Sequence, residues 1–277
     1  MNMIKFNPSI EFVGKTIREY LQSLFVGKAV IYKYSSNKWI FVNDKNVNSE
    51  YRLKEDDQIE ILLEEKDTTY FTNEPITIIY EDDDIVLVEK PIDLLVHTDG
   101  NEYDTLTDRV GNYYQEKGYK HPVLPAHRID KDTSGMVLFA KHFVALAYFS
   151  NLFENNSIHK IYRCIVEGRM ENKEGKIASK LLFDNKQNKM VISKYGKEAE
   201  SKYVVVRNLL DETVLDVSIK SGRTHQIRVH LASIGHPVVG DKIYGHEKIR
   251  LMLHFRKIGF KHFRDGKMLF FESKSDF

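Results

Sequence analysis

The sequence predicts an α+β protein in two parts, a small α+β unit over residues 1–68 and a larger strand-and-helix domain over residues 69–277. Three observations carry this. Short strand-like runs mix with a few helical stretches and no internal repeat. A helix start signal opens the first seventy residues. The stretch Glu64-Glu65-Lys66-Asp67-Thr68-Thr69 then lacks apolar periodicity, which marks a boundary. A chain of 277 residues is long enough for one small and one medium domain.

In the first unit, Thr16 with Glu19 three residues on reads as a capping box, opening a helix with Ile17, Leu21 and Leu24 on one face and Gly27 as its stop. Lys38–Val42 and Gln58–Leu62 read as strands, with turn composition at Asn43-Asp44-Lys45-Asn46. In the second part, Ile76–Tyr80 and Ile85–Val88 read as strands around Glu81-Asp82-Asp83-Asp84. Leu106–Tyr114 reads as a helix, and so does Phe143–Phe153, with Leu146, Phe149 and Phe153 at helical spacing. Met136–Ala140 is a continuous strand-like run, and Lys160–Val166 alternates between two faces. Tyr203–Val206 and Val214–Ile219 flank Asp211-Glu212 as a hairpin.

Composition narrows the function classes. No run of 18 apolar residues occurs, and Met-Asn-Met-Ile-Lys-Phe lacks the regions of a signal peptide. The single cysteine, Cys164, leaves no partner for an internal disulfide and no cysteine zinc site. A cytoplasmic protein without membrane contact is expected. The net charge is +1, yet nine Lys/Arg against two acids lie between Ser218 and Lys261, whereas residues 1–70 carry ten bases and eleven acids. Such a local excess fits a polyanion partner, and equally a solvated charged face.

Two stretches carry chemistry. His127-Arg128-Ile129-Asp130-Lys131-Asp132-Thr133-Ser134-Gly135 puts a carboxylate, Asp130, between an arginine and a Thr-Ser-Gly turn that feeds a strand. With Arg128 two residues away and no second acid at ligand spacing, the pattern favours an ionised nucleophile or base working without a metal. The second stretch is Ser221-Gly222-Arg223-Thr224-His225-Gln226-Ile227-Arg228-Val229-His230. Thr224 reads as the cap of a helix whose buried stripe is Ile227, Leu231 and Ile234, ended by Gly235 and Pro237. Arg228 lies about 100° round that helix from Ile227, free to approach Asp130. An ordinary amphipathic helix with a basic face has the same spacing.

Other chemistries have weaker support. His225 and His230 are five apart and diverge on a helix, so they make no metal pair. A serine hydrolase would use Ser134 and His127, but Asp132 and Met136 occupy the glycine positions of a nucleophile elbow. Glycine-rich nucleotide loops are absent from the sequence.

The motifs resemble the RluA-type pseudouridine synthases, which isomerise chosen uridines in ribosomal or transfer RNA. That family reads His-Arg-Leu-Asp-x-x-Thr-Ser-Gly, matched by His127–Gly135 with Ile129 in place of leucine. Lys-x-Tyr matches Lys160-Ile161-Tyr162, and Gly-Arg-x-His-Gln-Ile-Arg-x-His matches Gly222–His230, continuing to Gly245. Arg250-Leu251-Met252-Leu253-His254 is a weaker match, and the likeness runs from Ile76 to Phe271.

The resemblance implies a large mixed, mainly antiparallel sheet flanked by helices and loops, preceded by a degenerate RNA-binding-like domain of the alpha-L type. It implies Asp130 as catalytic carboxylate, Tyr162 stacked on the uracil, where it could assist proton removal from C5, and Arg228 paired with Asp130. Leu251 or Leu253 would pack near the base, and Arg128 would enter the RNA stack where the target nucleotide leaves it. His127, Thr133, Arg223, Gln226 and His230 are expected around the substrate, with Lys242 and Lys257 on phosphates. No metal or cofactor is expected, the partner is ribosomal RNA in preference to transfer RNA, and a monomer is expected. A catalytically silent RNA-binding ribosome-assembly factor is the alternative. The chain departs from the family at Glu89-Lys90-Pro91-Ile92-Asp93, where Asn-Lys-Pro-Ala-Gly is usual, and at Phe255, where alanine is common.

Overall fold

The computed structural model describes residues 2–66, 68–70, 72–100, 104–275 and 277, so Asp67 of the expected boundary lies outside the described residues. The N-terminal unit contains β1 (Met3–Phe6), α1 (Ile17–Ser23), α2 (Lys28–Ser36), β2 (Ile40–Val42), β3 (Lys45–Asn46) and β4 (Ile59–Leu62). Its four strands form an antiparallel sheet in the order β1-β4-β2-β3. The capping box forms as expected, with the Glu19 N–H donating to Thr16 Oγ1 at 3.1 Å and the Thr16 N–H to Glu19 Oε2 at 2.6 Å. Gly27 does not simply stop a helix. It is the N-cap of α2, a helix whose weak apolar periodicity hid it from the sequence. Asn43 and Asp44 both adopt positive φ, as a tight two-residue hairpin turn requires.

The second part is built on one eleven-stranded sheet. Its elements are β5 (Thr77–Glu81), β6 (Ile85–Lys90), α3 (Leu106–Glu116), β7 (Leu124–Pro125), β8 (Ser134–Ala140), α4 (Phe143–Glu154) and β9 (His159–Glu167). They continue with β10 (Glu174–Asp184), β11 (Lys189–Ile192), β12 (Lys197–Asn208), β13 (Glu212–Ile219), α5 (Gln226–Ser233), β14 (Leu253–Lys261) and β15 (Met268–Glu272). The order is β11-β10-β12-β13-β9-β14-β8-β6-β5, with β15 on β14 and β7 on β8. Every pairing is antiparallel except β14 with β8, which run parallel for two residue pairs, His254 with Ser134 and Phe255 with Gly135. Beyond that point the flank of β14 passes to β15, so the chain opens at the middle of the sheet, where the turn that holds Asp130 leads into β8.

The continuous apolar run of β8 is explained by burial of all seven of its residues. Helix α4 is apolar on more than one face because it is covered from two sides. Val144, Ala145 and Phe149 are buried in the core, while Phe143 meets Tyr34 of α2 at 4.3 Å between ring centroids. The Arg264 guanidinium donates to the Lys5 carbonyl at 2.7 Å and pairs with buried Asp84. One apolar cluster therefore runs from Phe6 and Leu21 to Val137 and Phe260, across the expected boundary.

Candidate active site

The turn ahead of β8 is closed by the Thr133 N–H donating to the Asp130 carbonyl at 3.0 Å. Gly135, with φ 119°, follows at once, and a Cβ there would stand 2.5 Å from the Phe255 backbone. The glycine thus lets β8 and β14 meet closely, which fixes where the turn sits. Lys90 supports the turn from behind. Its fully buried ammonium donates to the carbonyls of Pro91, Leu94 and Lys131 at 2.7–2.8 Å. Burial pushes its pKa down to about 7, opposed by Asp130 and Asp132. Sequence reasoning missed this residue, although it lies in the divergent Glu89–Asp93 stretch. Asp93 itself takes φ 59°, the left-handed turn geometry that the family serves with glycine.

Asp130 faces a cavity of about 130 Å³. Voids of about 150 Å³ in apolar interiors hold a benzene ring, so the scale is that of one aromatic heterocycle. Eight expected residues line it: Arg128, Asp130, Thr133, Tyr162, Arg223, Gln226, Arg228 and Leu253. Ile129, Ile219, Gly222, Thr224, His225 and Ile227 complete the wall and were not foreseen in this role. Tyr162 enters from β9, its ring stacked on Phe255 at 4.5 Å and 12°. That stacking gives the unusual Phe255 a place, as the floor beneath the tyrosine. Burial, reinforced by the negative Asp130, raises the Tyr162 pKa, so the phenol stays protonated at neutral pH.

Arg228 is 2% exposed and does not pair with Asp130 as expected. Its Nε and Nη2 donate to Asp241 at 2.7 Å each, a bidentate ion pair. Burial alone would raise the Asp241 carboxyl, but Arg228 and the Ile243 and Tyr244 N–H groups hold it below its ordinary range. The physical reason is geometric: a fully buried guanidinium takes the planar carboxylate that can satisfy both its arms, and Asp130 receives its charge only at longer range. The ionisable side chain that approaches Asp130 is instead His225, with Nε2 at 3.9 Å from Oδ2 and burial favouring its neutral form.

The loop before α5 also differs from expectation. The N-cap is His225 in left-handed conformation, not Thr224, and no side chain caps the helix. Gln226, the first residue of α5, instead braces the loop that precedes the helix. Its Oε1 accepts from Ser221 Oγ at 2.8 Å and the Arg223 N–H at 3.2 Å, while its Nε2 donates to the Glu200 carbonyl. Ile234, expected in the buried stripe, is 39% exposed at the helix end.

Five expected residues are not among those lining the cavity. His127 stacks on Phe153 at 4.0 Å and accepts the Leu138 N–H. Burial and the Lys160 ammonium push its pKa down to about 3, which keeps it neutral. His230 is fully buried between Ser201 and Ser179 hydroxyls. Leu251 belongs to the core, leaving Leu253 as the leucine at the cavity. Lys242 stands 3.8 Å from Asp132, and Lys257 pairs with Glu272 at 3.1 Å. The basic stretch is largely neutralised by acids remote in sequence, since Lys248 meets Glu212 and Arg256 meets Asp216. Ser134 bonds His254 and Arg250, while His127 bonds Leu138, so the pair that a hydrolase needs is not formed.

Among the described residues, Asp82, Asp84 and His262 bring donor atoms within 4.8 Å of one another. Both Asp84 oxygens are already engaged, by His142 at 2.8 Å and by Arg264. No helix among the described residues is long and apolar enough to cross a membrane.

Comparison with known proteins identifies the family. Residues 84–233 match the family described as RNA pseudouridylate synthase. The chain is 31% identical to ribosomal large subunit pseudouridine synthase C of Buchnera aphidicola (subsp. Acyrthosiphon pisum), over 96% of this chain and 92% of that protein. It is 30% identical to the Bacillus subtilis protein named "Uncharacterized RNA pseudouridine synthase YlyB", over 99% of this chain and 94% of the other. The solved structure of human RNA pseudouridylate synthase domain containing 1 shares the fold, with a TM-score of 0.64 and 22% identity over 75% of this chain and 86% of that one. A carboxylate and a stacked tyrosine around one ring-sized cavity thus sit in a chain that belongs to the RNA pseudouridine synthases, enzymes that isomerise uridine in RNA.

Proposed function

We propose that this enzyme isomerises uridine in ribosomal RNA by way of the Asp130 carboxylate and without a cofactor. The observation that carries the reading is Asp130 and Tyr162 at one cavity of nucleobase scale. In the reaction the N1–C1′ bond of uridine breaks, a C5–C1′ bond forms, C5 loses its proton and N1 gains one. No electron leaves the nucleotide, so the balance requires neither metal nor redox partner. Asp130 acts as the nucleophile at the nucleoside. Tyr162 stacks on the uracil, with its protonated hydroxyl available as a donor at the start of the reaction. The ion pair with Asp241 holds Arg228 in the cavity wall, and exposed Arg128 also lines the cavity, from where it fills the gap left by the flipped nucleotide.

Ribosomal RNA is favoured because relatives from Buchnera aphidicola and Nitrosomonas europaea are named ribosomal large subunit pseudouridine synthases C and D. The N-terminal unit, residues 1–68, then serves as a docked accessory domain whose balanced charge supports little RNA affinity. The test is tritium release from C5-labelled ribosomal and transfer RNA isolated from cells lacking the protein. Release from ribosomal RNA alone is expected. Release from transfer RNA alone contradicts the substrate assignment, and tight binding without release from either pool favours the assembly-factor reading.

A further inference from the structure

His225 takes φ 51° and ψ 20° at the joint between the Ser221–Thr224 loop and α5. Left-handed backbone at a non-glycine residue is sparsely populated, with histidine among the residues that tolerate it better. Here it turns an imidazole between two partners. Nδ1 lies 3.0 Å from Tyr244 Oη, and Nε2 lies 3.9 Å from Asp130 Oδ2. The Tyr244 ring meets the imidazole edge-on at 5.6 Å and 81°.

The hydrogen bonds fix the direction of this chain. Tyr244 Oη already accepts the Met190 N–H at 3.0 Å. Its one proton therefore has Nδ1 as the near acceptor. When Tyr244 donates to Nδ1, the proton of a neutral imidazole sits on Nε2, the nitrogen that faces Asp130. The charged groups around the ring are Asp130, Asp132, Asp241 and Arg228. Burial favours the neutral imidazole, against the pull of the nearby carboxylates.

We propose that His225, oriented by Tyr244, is a positioning residue for Asp130: its Nε2–H closes on Oδ2 when a uridine fills the cavity and so aims Oδ1 at the nucleoside. Catalytic hydrogen bonds tighten in the substrate complex, and 3.9 Å leaves about 1 Å to close. The role rests on the isomerase reading above, but the tautomer does not.

Two measurements test it. In uniformly ¹⁵N-labelled protein, two-bond ¹H–¹⁵N spectra report the tautomer of each histidine. The expected result is Nε2–H for His225 in the wild type and a mixture containing Nδ1–H in Tyr244→Phe. In tritium-release kinetics, His225→Asn, which suits left-handed backbone, and Tyr244→Phe are expected to lower kcat about 10- to 100-fold with KM within about twofold. His225→Gln, which returns an N–H near the position of Nε2, should recover part of the loss. An Nδ1–H tautomer in the wild type, or unchanged kcat in both folded variants, overturns the proposal. A wild type that isomerises no RNA counts against the enzyme reading, and the tautomer arm still decides the Tyr244–His225 arrangement.

Discussion

Tyr162 shows how a single side chain can be restricted to some roles and not others. Its ring lies flat on Phe255, and burial together with Asp130 keeps its phenol protonated. On the mechanism we propose, it begins the reaction as a platform and a hydroxyl donor, and a base that removes the C5 proton at the outset is another group. We predict that Tyr162→Phe keeps KM for RNA and lowers kcat by at least about 100-fold. Unchanged kcat would reduce the residue to a stacking surface. The family motifs that contain Asp130 and Tyr162 brought both forward in the sequence, and both line the cavity. Lys90 was not, because a lysine in a strand reads as a surface residue until three carbonyls are seen to surround its ammonium.

Helix α5 and the segment through Tyr244 work as one element, joined by the Arg228–Asp241 pair. From sequence alone Arg228 had an obvious partner in Asp130, since both stand in strong motifs. The competing acid, 13 residues further along the chain, is visible only once the chain folds back. Breaking a buried pair leaves one charge uncompensated, at a cost of about 3–5 kcal/mol. Asp241→Asn is thus expected to lower both thermal stability and kcat, where an Arg228 serving Asp130 alone would leave Asp241→Asn nearly silent. Thermal melts of the wild type and Asp241→Asn side by side read the difference.

The same correction moves the expected RNA contact. Lys257 and Lys248 are held by acids, whereas exposed Lys180, Lys220 and Arg223 enter no ion pair among the described residues and line a groove next to the cavity. We predict that Lys220→Glu weakens RNA binding more than Lys257→Glu and reduces the slope of log K against log salt by about 1. Equal effects of the two substitutions in salt-dependent binding would remove the groove from the account.

At the level of the whole molecule, the loss of apolar periodicity led to an expected boundary near residue 68, while the joint, one apolar cluster that crosses it, was not legible. Aromatic pairs such as Tyr34 with Phe143, and the Arg264 bridge to Lys5 and Asp84, connect residues too distant for any local pattern to reveal. Strand β10 escaped because its exposed face carries Glu174, Lys176 and Lys180, which weakens the apolar alternation, and β11 because four residues are too few to show a period. The joint has a pH signature. Burial would raise the Asp84 carboxyl, yet His142 and Arg264 depress it from 3.8 to about 2. Its contribution to stability is complete above about pH 4 and is lost as pH falls toward 2, by roughly 2 kcal/mol. Acid unfolding of the wild type should show this loss between pH 4 and 2, and Asp84→Asn should flatten it; an unchanged acid limb would mean that the clasp does not contribute.

The central claim is that the Asp130 carboxylate performs the chemistry while the rest of the cavity binds and orients. Single-turnover tritium release from C5-labelled ribosomal RNA, run with the wild type and Asp130→Asn at matched RNA occupancy, tests it most directly. Release by the wild type and none by a variant that still binds and melts normally is the predicted result. Release by Asp130→Asn at a comparable rate would contradict it.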